Sequence, residues 1–245
     1  MAVPPVFADL PDQLVPGIVG ALCRSGAPPA GLRLVCREWA RLVPGLVEGL
    51  CVAAPGRPGW EEKFSGIVSF EMQGATGVAY PDTLVLCLPA SVRSVRLTRV
   101  PVQGLELAGG AMVEELILDE CPDLRRVSGP LDSLVTIDIR GSPNVPWEPF
   151  RGLEDVLTLC LNENYSPGVI ADMRGLRALD VSECGCLPED LEDKPCLDSL
   201  FLGDIMSTRE ELVFHLPSLG TFDAASCENY RVTGYMDGWL RFQLC

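Results

Sequence analysis

A nine-residue frame, Leu-x-x-Leu-x-Leu-x-x-Cys/Asn, recurs along most of this chain at a spacing close to 21 residues, and it restricts the fold more than any other feature. Its clearest copy is "VEELILDEC", with Val113, Leu116 and Leu118 apolar and Cys121 last. "LVTIDIRGS" repeats it with Leu134, Ile137, Ile139 and Ser142, "VLTLCLNEN" with Val156, Leu159, Leu161 and Asn164, and "LRALDVSEC" with Leu176, Leu179, Val181 and Cys184. Further on, "LDSLFLGDI" supplies Leu197, Leu200, Leu202 and Ile205, and "LGTFDAASC" supplies Leu219, Phe222, Ala224 and Cys227. Upstream, Val92, Val95, Leu97 and Val100 fit, as do Ile67, Phe70 and Met72 and then Val47, Leu50 and Val52. The frames begin at 47, 67, 92, 113, 134, 156, 176, 197 and 219, so successive differences are 20, 25, 21, 21, 22, 20, 21 and 22.

A fixed period of this length means one small unit stacked many times. Each frame reads as a short strand whose spaced apolar residues enter a shared core, followed by a turn and a return segment. One rung cannot bury its apolar side alone, so rungs stack, with neighbouring strands about 4.8 Å apart in a parallel sheet. At the last frame position the chain turns inward, and Cys or Asn there can bond backbone groups that the turn leaves unpaired. The return segments, such as "GSPNVPWEPFRG" and "ECGCLPEDLEDKP", hold Pro and Gly, so extended stretches or short helical turns are expected in them. Over roughly residues 45 to 230 the chain resembles the leucine-rich-repeat family. That resemblance implies an α/β class fold: a curved solenoid with a parallel β-sheet on its concave face.

Residues 9–43 follow a different rule. Leu10, Leu14, Ile18 and Leu22 fall four apart, with Asp9 placed to cap and Pro11 tolerated in a first helical turn. After "RSGAPPAG", the stretch "LRLVCREWARLV" spaces Leu32, Val35, Trp39 and Leu42 as a second helical stripe, and Arg33, Arg37 and Arg41 fall on another face. Leu10-Pro11 followed at this separation by "LVCREW" resembles an F-box. The resemblance implies a docking surface for a Skp-type adaptor and, through it, a cullin-RING ubiquitin ligase core. By position, the adaptor-binding or core residues are Leu10, Pro11, Leu14, Ile18, Leu22, Leu32, Val35 and Trp39. The competing reading makes residues 1–43 the N-terminal cap that any solenoid needs over its first open rung. The expected organisation is a small α-helical F-box over residues 1–43, a solenoid over 44–235 and a C-terminal capping segment over 236–245.

Composition narrows the function. The net charge is −15, and because residues 1–43 hold three acidic and four basic groups, the remaining 31 acidic and 15 basic groups leave −16 on the repeats. Such a balance disfavours nucleic acid and anionic membranes, both of which need a basic face. No run of about 18 apolar residues is present to span a bilayer, and the first residues lack the basic-then-apolar layout of a secretory signal, so an intracellular protein, cytoplasmic or nuclear, is expected. The 11 cysteines then read as reduced thiols, three of them at the frame's last position. Lysine occurs only as Lys63 and Lys194, against 17 arginines.

In a strand the residues between the apolar positions face the other way. A substrate-binding concave face is therefore expected from Arg96, Glu115, Asp119, Asp138, Arg140, Asn162, Asp180, Phe201 and Asp223, suited to a protein segment with basic character. No catalytic constellation accompanies it: the single histidine, His215, has no triad partners, and no phosphate-binding loop occurs. Cys184, Cys186, Cys196 and His215 match no common zinc spacing, so neither metal nor cofactor is expected. The function expected is that of a non-catalytic substrate-recognition subunit of a Skp-cullin-F-box type ligase. The alternative is a leucine-rich-repeat scaffold or inhibitor that never joins a ligase.

Overall fold

A computed structural model describes residues 49–52, 66–74, 80, 83–161, 170, 173–182, 184 and 186–245. The eight expected adaptor-binding positions, Leu10 through Trp39, lie outside the described residues, as does Asn162. The described residues form a parallel β-solenoid. Numbered along the chain, nine strands make one sheet in the order β1 (Gly49–Val52), β2 (Ser69–Gln73), β4 (Ser94–Thr98), β6 (Glu115–Asp119), β8 (Thr136–Asp138), β9 (Thr158–Cys160), β10 (Ala178–Val181), β11 (Ser199–Leu202) and β13 (Thr221–Asp223). Every pairing is parallel, and the register joins Leu50, Phe70, Val95, Leu116, Ile137, Leu159, Leu179, Leu200 and Phe222 in a single row. That row is the second apolar position of all nine frames.

The return segments are extended and nearly free of helix. Three of them pair as a second parallel sheet, β3 (Val85–Leu88), β5 (Gly104–Leu107) and β7 (Arg126–Ser128), which places Leu86, Leu105 and Val127 in one buried row. Among the described residues the helical segments are a 3-10 turn at Glu148–Phe150 and α1 (Pro188–Leu191). Proline begins each of these short helices or follows its first residue, where its missing N–H costs nothing. The Asp190 carboxylate accepts the Leu187 N–H at 2.9 Å and anchors the start of α1.

The corners after β4, β6 and β8 are built from one repeated device. Arg99, Glu120 and Gly141, spaced by 21, all take positive φ, at 56°, 49° and 64°. The next residue, Val100, Cys121 or Ser142, turns fully inward, and a proline follows each: Pro101, Pro122 and Pro143. Gly141 suits this corner because a Cβ there would stand 3.2 Å from Glu120 Cγ, in a backbone region that side chains resist. At the inward position the polar atoms close the turn as the frame implied. Ser142 Oγ donates to the Leu118 carbonyl at 2.6 Å and accepts the Cys121 N–H at 2.9 Å, while the Cys121 thiol donates to the Leu97 carbonyl at 3.6 Å. The rungs of β6 and β8 are thus each fastened to the one before through groups that water does not reach.

The far end is closed by an antiparallel sheet in the order β12 (Glu211–His215), β15 (Trp239–Leu244), β14 (Tyr230–Met236). The strand ending at Leu244 does not close the end alone; two strands upstream of residue 236 or reaching only to it complete the cap. Leu212, Phe214, Leu240 and Phe242 turn inward, and Phe242 meets Phe214 and Phe222 edge-on at centroid distances of 5.9 and 6.1 Å. The last rung is covered this way. Asp237 and Gly238, both at positive φ, make the tight turn between β14 and β15. Two tyrosine hydroxyls tie β14 down, Tyr230 to the Arg209 carbonyl at 2.6 Å and Tyr235 to the Leu216 carbonyl at 3.0 Å.

Ser142→Ala is expected to lower unfolding stability by about 1–3 kcal/mol, because it strands a buried carbonyl and a buried N–H together. Ser199→Ala, on the outward face, is expected to change it by less than about 0.5 kcal/mol. Urea unfolding of the two variants beside the wild type measures the difference; equal stability would show that the corner bonds do not hold the rungs.

Candidate functional site

Alternation along the strands presents the sheet's outward face as rows of aligned side chains. The central row runs Glu71, Arg96, Ile117, Asp138, Cys160, Asp180, Phe201 and Asp223 in register. The row before it is mostly small and hydroxylated: Ser69, Ser94, Glu115, Thr136, Thr158, Ala178, Ser199 and Thr221. Arg96, Glu115, Asp119, Asp138, Asp180, Phe201 and Asp223 are thus brought to one face, and Arg140 reaches onto it from the corner after β8.

Glu115, Asp138 and Asp180 on this face are matched by Arg96 and Arg140. Ser94 Oγ donates to the Glu115 carboxylate at 2.5 Å, and the Arg96 guanidinium stands 3.8 Å from the same group. Arg140 clamps Asp138 through two bonds of 3.0 and 2.6 Å and extends another nitrogen to Asp180 at 3.4 Å. The second oxygen of Asp180 accepts the Ser182 N–H at 3.0 Å and its hydroxyl at 2.6 Å. The side chains of Asp138 and Asp180 are only 14% and 17% exposed, so neither is free to meet an incoming cation. Phe201 and Asp223 differ: both are exposed at the C-terminal side of the row, although Asp223 also accepts the Ala225 N–H at 2.8 Å.

Cys160 sits in register between Asp138 and Asp180, a position the frame marked as outward but gave no role. Burial pushes its thiol up to about 12, and the two neighbouring carboxylates push the same way against the opposing effect of Arg140. Burial likewise raises Cys121 to about 11 and holds Cys186 well above the ordinary thiol range. Thiols held protonated are poor nucleophiles and poor metal ligands. Among the described residues no group of three or more His, Cys, Asp or Glu side chains is arranged to hold a metal ion. His215 lies on β12 in the cap, against the Trp239 ring, rather than on this face. No helix among the described residues is long and apolar enough to cross a membrane.

The face is thus a polar plate whose central acids are paired, with Ile117 and Phe201 as its apolar members in the central row. No protein-family model matches the chain, and a search of curated proteins finds no match either.

The raised thiols make two effects measurable. At pH 8, iodoacetamide is expected to modify exposed Cys196 and Cys245 while leaving Cys121, Cys160 and Cys186 intact in the native protein, read by peptide mapping. Raised folded-state values also mean that these thiols contribute stability that is fully present below pH 9 and is lost as pH climbs through about 11 for Cys121 and about 12 for Cys160. Cys160→Ser is expected to flatten the upper part of that alkaline fall, followed by denaturant midpoints from pH 8 to 12.

Proposed function

We propose that this protein is a substrate-recognition subunit of a Skp-cullin-F-box type ubiquitin ligase, with an F-box-like segment ahead of a leucine-rich-repeat solenoid. The observation that carries the reading is order: Leu10-Pro11 and "LVCREW" precede the first rung, and nine rungs in one register follow. Leu10, Pro11, Leu14, Ile18, Leu22, Leu32, Val35 and Trp39 hold the adaptor in this reading, and the rungs present the target. The polar outward face, with its central acids held by Arg140, supports a binding role. The chain then acts by holding a target close to a ligase core, which raises the target's effective concentration at the transfer centre.

One observation favours the second reading, a scaffold or inhibitor outside any ligase. β1 is the first strand of the sheet among the described residues, and its upstream edge needs cover. Residues 1–43 would be that cover. Co-purification of the full chain with a Skp-type adaptor is expected for the wild type, and the Leu10/Pro11/Trp39 triple alanine variant is expected to lose it with the thermal transition of the repeats unchanged. Absence of the adaptor from the wild-type preparation would favour the scaffold.

Lysine placement supplies a separate test. Lys194 is fully buried, so in a reconstituted ligase reaction lysine-linked self-modification is expected to fall on Lys63 and to disappear in Lys63→Arg. Modification at Lys194 in the native protein would contradict this.

A further inference from the structure

The cap carries a surface of a different kind from the sheet face. Among the described residues ten large apolar side chains are exposed, and six of them belong to the C-terminal antiparallel sheet: Val213, Met236 and Trp239 on its outer face, and Val232, Tyr235 and Leu244 on the side of Leu240 and Phe242. Exposed apolar side chains gathered on one face, as Val213, Met236 and Trp239 are, mark an interaction surface more often than scattered ones do. His215, Trp239 and Met236 lie in one cross-strand row, and the His215 and Trp239 rings face each other at 4.6 Å with a 33° tilt.

Beside this row runs a groove of about 470 Å³ between the turn after α1 and β12. Pro195, Val213 and Pro217 give it apolar walls, His215 leads out to Trp239, and Glu192 and Asp193 give it an acidic rim. Asp193 is already paired with Arg174 at 3.3 Å, whereas exposed Glu192 makes no ion pair among the described residues. Lys194 borders the groove but is fully buried, so its ammonium is not presented to solvent.

We propose that this groove binds a cationic side chain, arginine or lysine, carried on a short apolar segment of a partner protein. The aliphatic stem lies along Pro195, Val213 and Pro217. The cation sits between the Glu192 carboxylate and the aromatic surface of His215 and Trp239, where ring face and carboxylate act together. Charge complementarity selects this occupant. The chain as a whole carries −15, Asp138 and Asp180 at the centre of the parallel sheet are spent on Arg140 and Ser182, and Glu192, which makes no ion pair among the described residues, lines the same groove as His215. A second copy is the poorer occupant, since it brings the same net charge and the same acidic rim. The inference does not require membership of a ligase, and loss of adaptor binding would leave it standing.

The test uses the full-length protein and an acetylated, amidated Gly-Leu-Arg-Leu-Gly peptide, with a citrulline version as the uncharged match. Titration is expected to move the Trp239 indole resonance and not that of Trp147, which is 5% exposed. By calorimetry the citrulline peptide, Glu192→Gln and Trp239→Ala are each expected to weaken binding roughly five- to tenfold, the worth of one partly desolvated contact. Asp223→Asn, on the sheet face, is expected to leave affinity unchanged. Equal binding of the citrulline peptide, loss of affinity through Asp223→Asn alone, or a still Trp239 resonance at millimolar peptide would each overturn the proposal. So would a wild-type dimer in sedimentation that Trp239→Ala converts to monomer, which would assign the surface to a second copy.

Discussion

Phe70, Val95, Leu116, Ile137, Leu159, Leu179 and Leu200 touch across rungs because every strand is parallel to the last and paired without slip. Everything else in the molecule depends on that alignment. A one-residue shift of any strand would turn its apolar residues to solvent and its charged ones to the core. In a stack where each rung meets only its neighbours, such an error cannot be averaged away by distant contacts. The corners guard against it. Where Ser142 bonds the Leu118 carbonyl and Cys121 bonds the Leu97 carbonyl, the polar atom finds its partner only at the correct offset of 24 residues, and a slipped rung would bury unpaired groups.

The same alternation that fills the core also composes the outer face, so its chemistry is tied to the fold. Aligned rows bring side chains from rungs far apart in sequence within bonding range, which lets Arg140 join Asp138 on its own rung to Asp180 two strands away. Arginine suits that post better than lysine because its planar fork meets both carboxylates at once. The cluster stiffens the plate at its centre. Its cost is that the acids lose their appeal to a partner, since a cation arriving there must displace one already in place.

Much of this was legible in the chain itself. The apolar frame names the inward row of all nine strands, buried from Phe70 to Leu200 and half-buried at its ends, Leu50 and Phe222, because an in-register stack repeats one pattern of burial. The residues of the outward face follow from the same count by alternation. Their pairing does not: whether Asp180 is free or bound depends on Arg140, 40 residues earlier, and that is a question of register rather than of spacing. The second sheet was hidden for another reason. "VLCL", "GLEL" and "RVS" are short, differ in composition, and carry no period of their own beyond the one already used to place the main strands. The extent of the cap was also hidden, because β12 and β14 leave the repeat pattern and pair antiparallel with a strand downstream of both, a choice that no local signal announces.

Long-range and short-range electrostatics part company in this molecule. A net charge of −15 creates a field that draws basic partners from several ångströms out, whether or not individual acids are paired nearby, because ion pairs cancel locally while the excess persists. Close contact obeys different rules, since it needs a carboxylate that is not already satisfied and an apolar surface that gains from losing water. Along the middle of the parallel sheet the two requirements are not met together, since half-buried Asp138 and Asp180 are already satisfied and the exposed acids Glu71 and Asp223 lie at the ends of the row. At the cap they coincide, where Glu192 borders a groove walled by prolines and flanked by Trp239. In the proposed reading, a solenoid whose central acids are paired but whose total charge stays negative would steer a basic partner with the whole chain and hold it at the cap with a few residues.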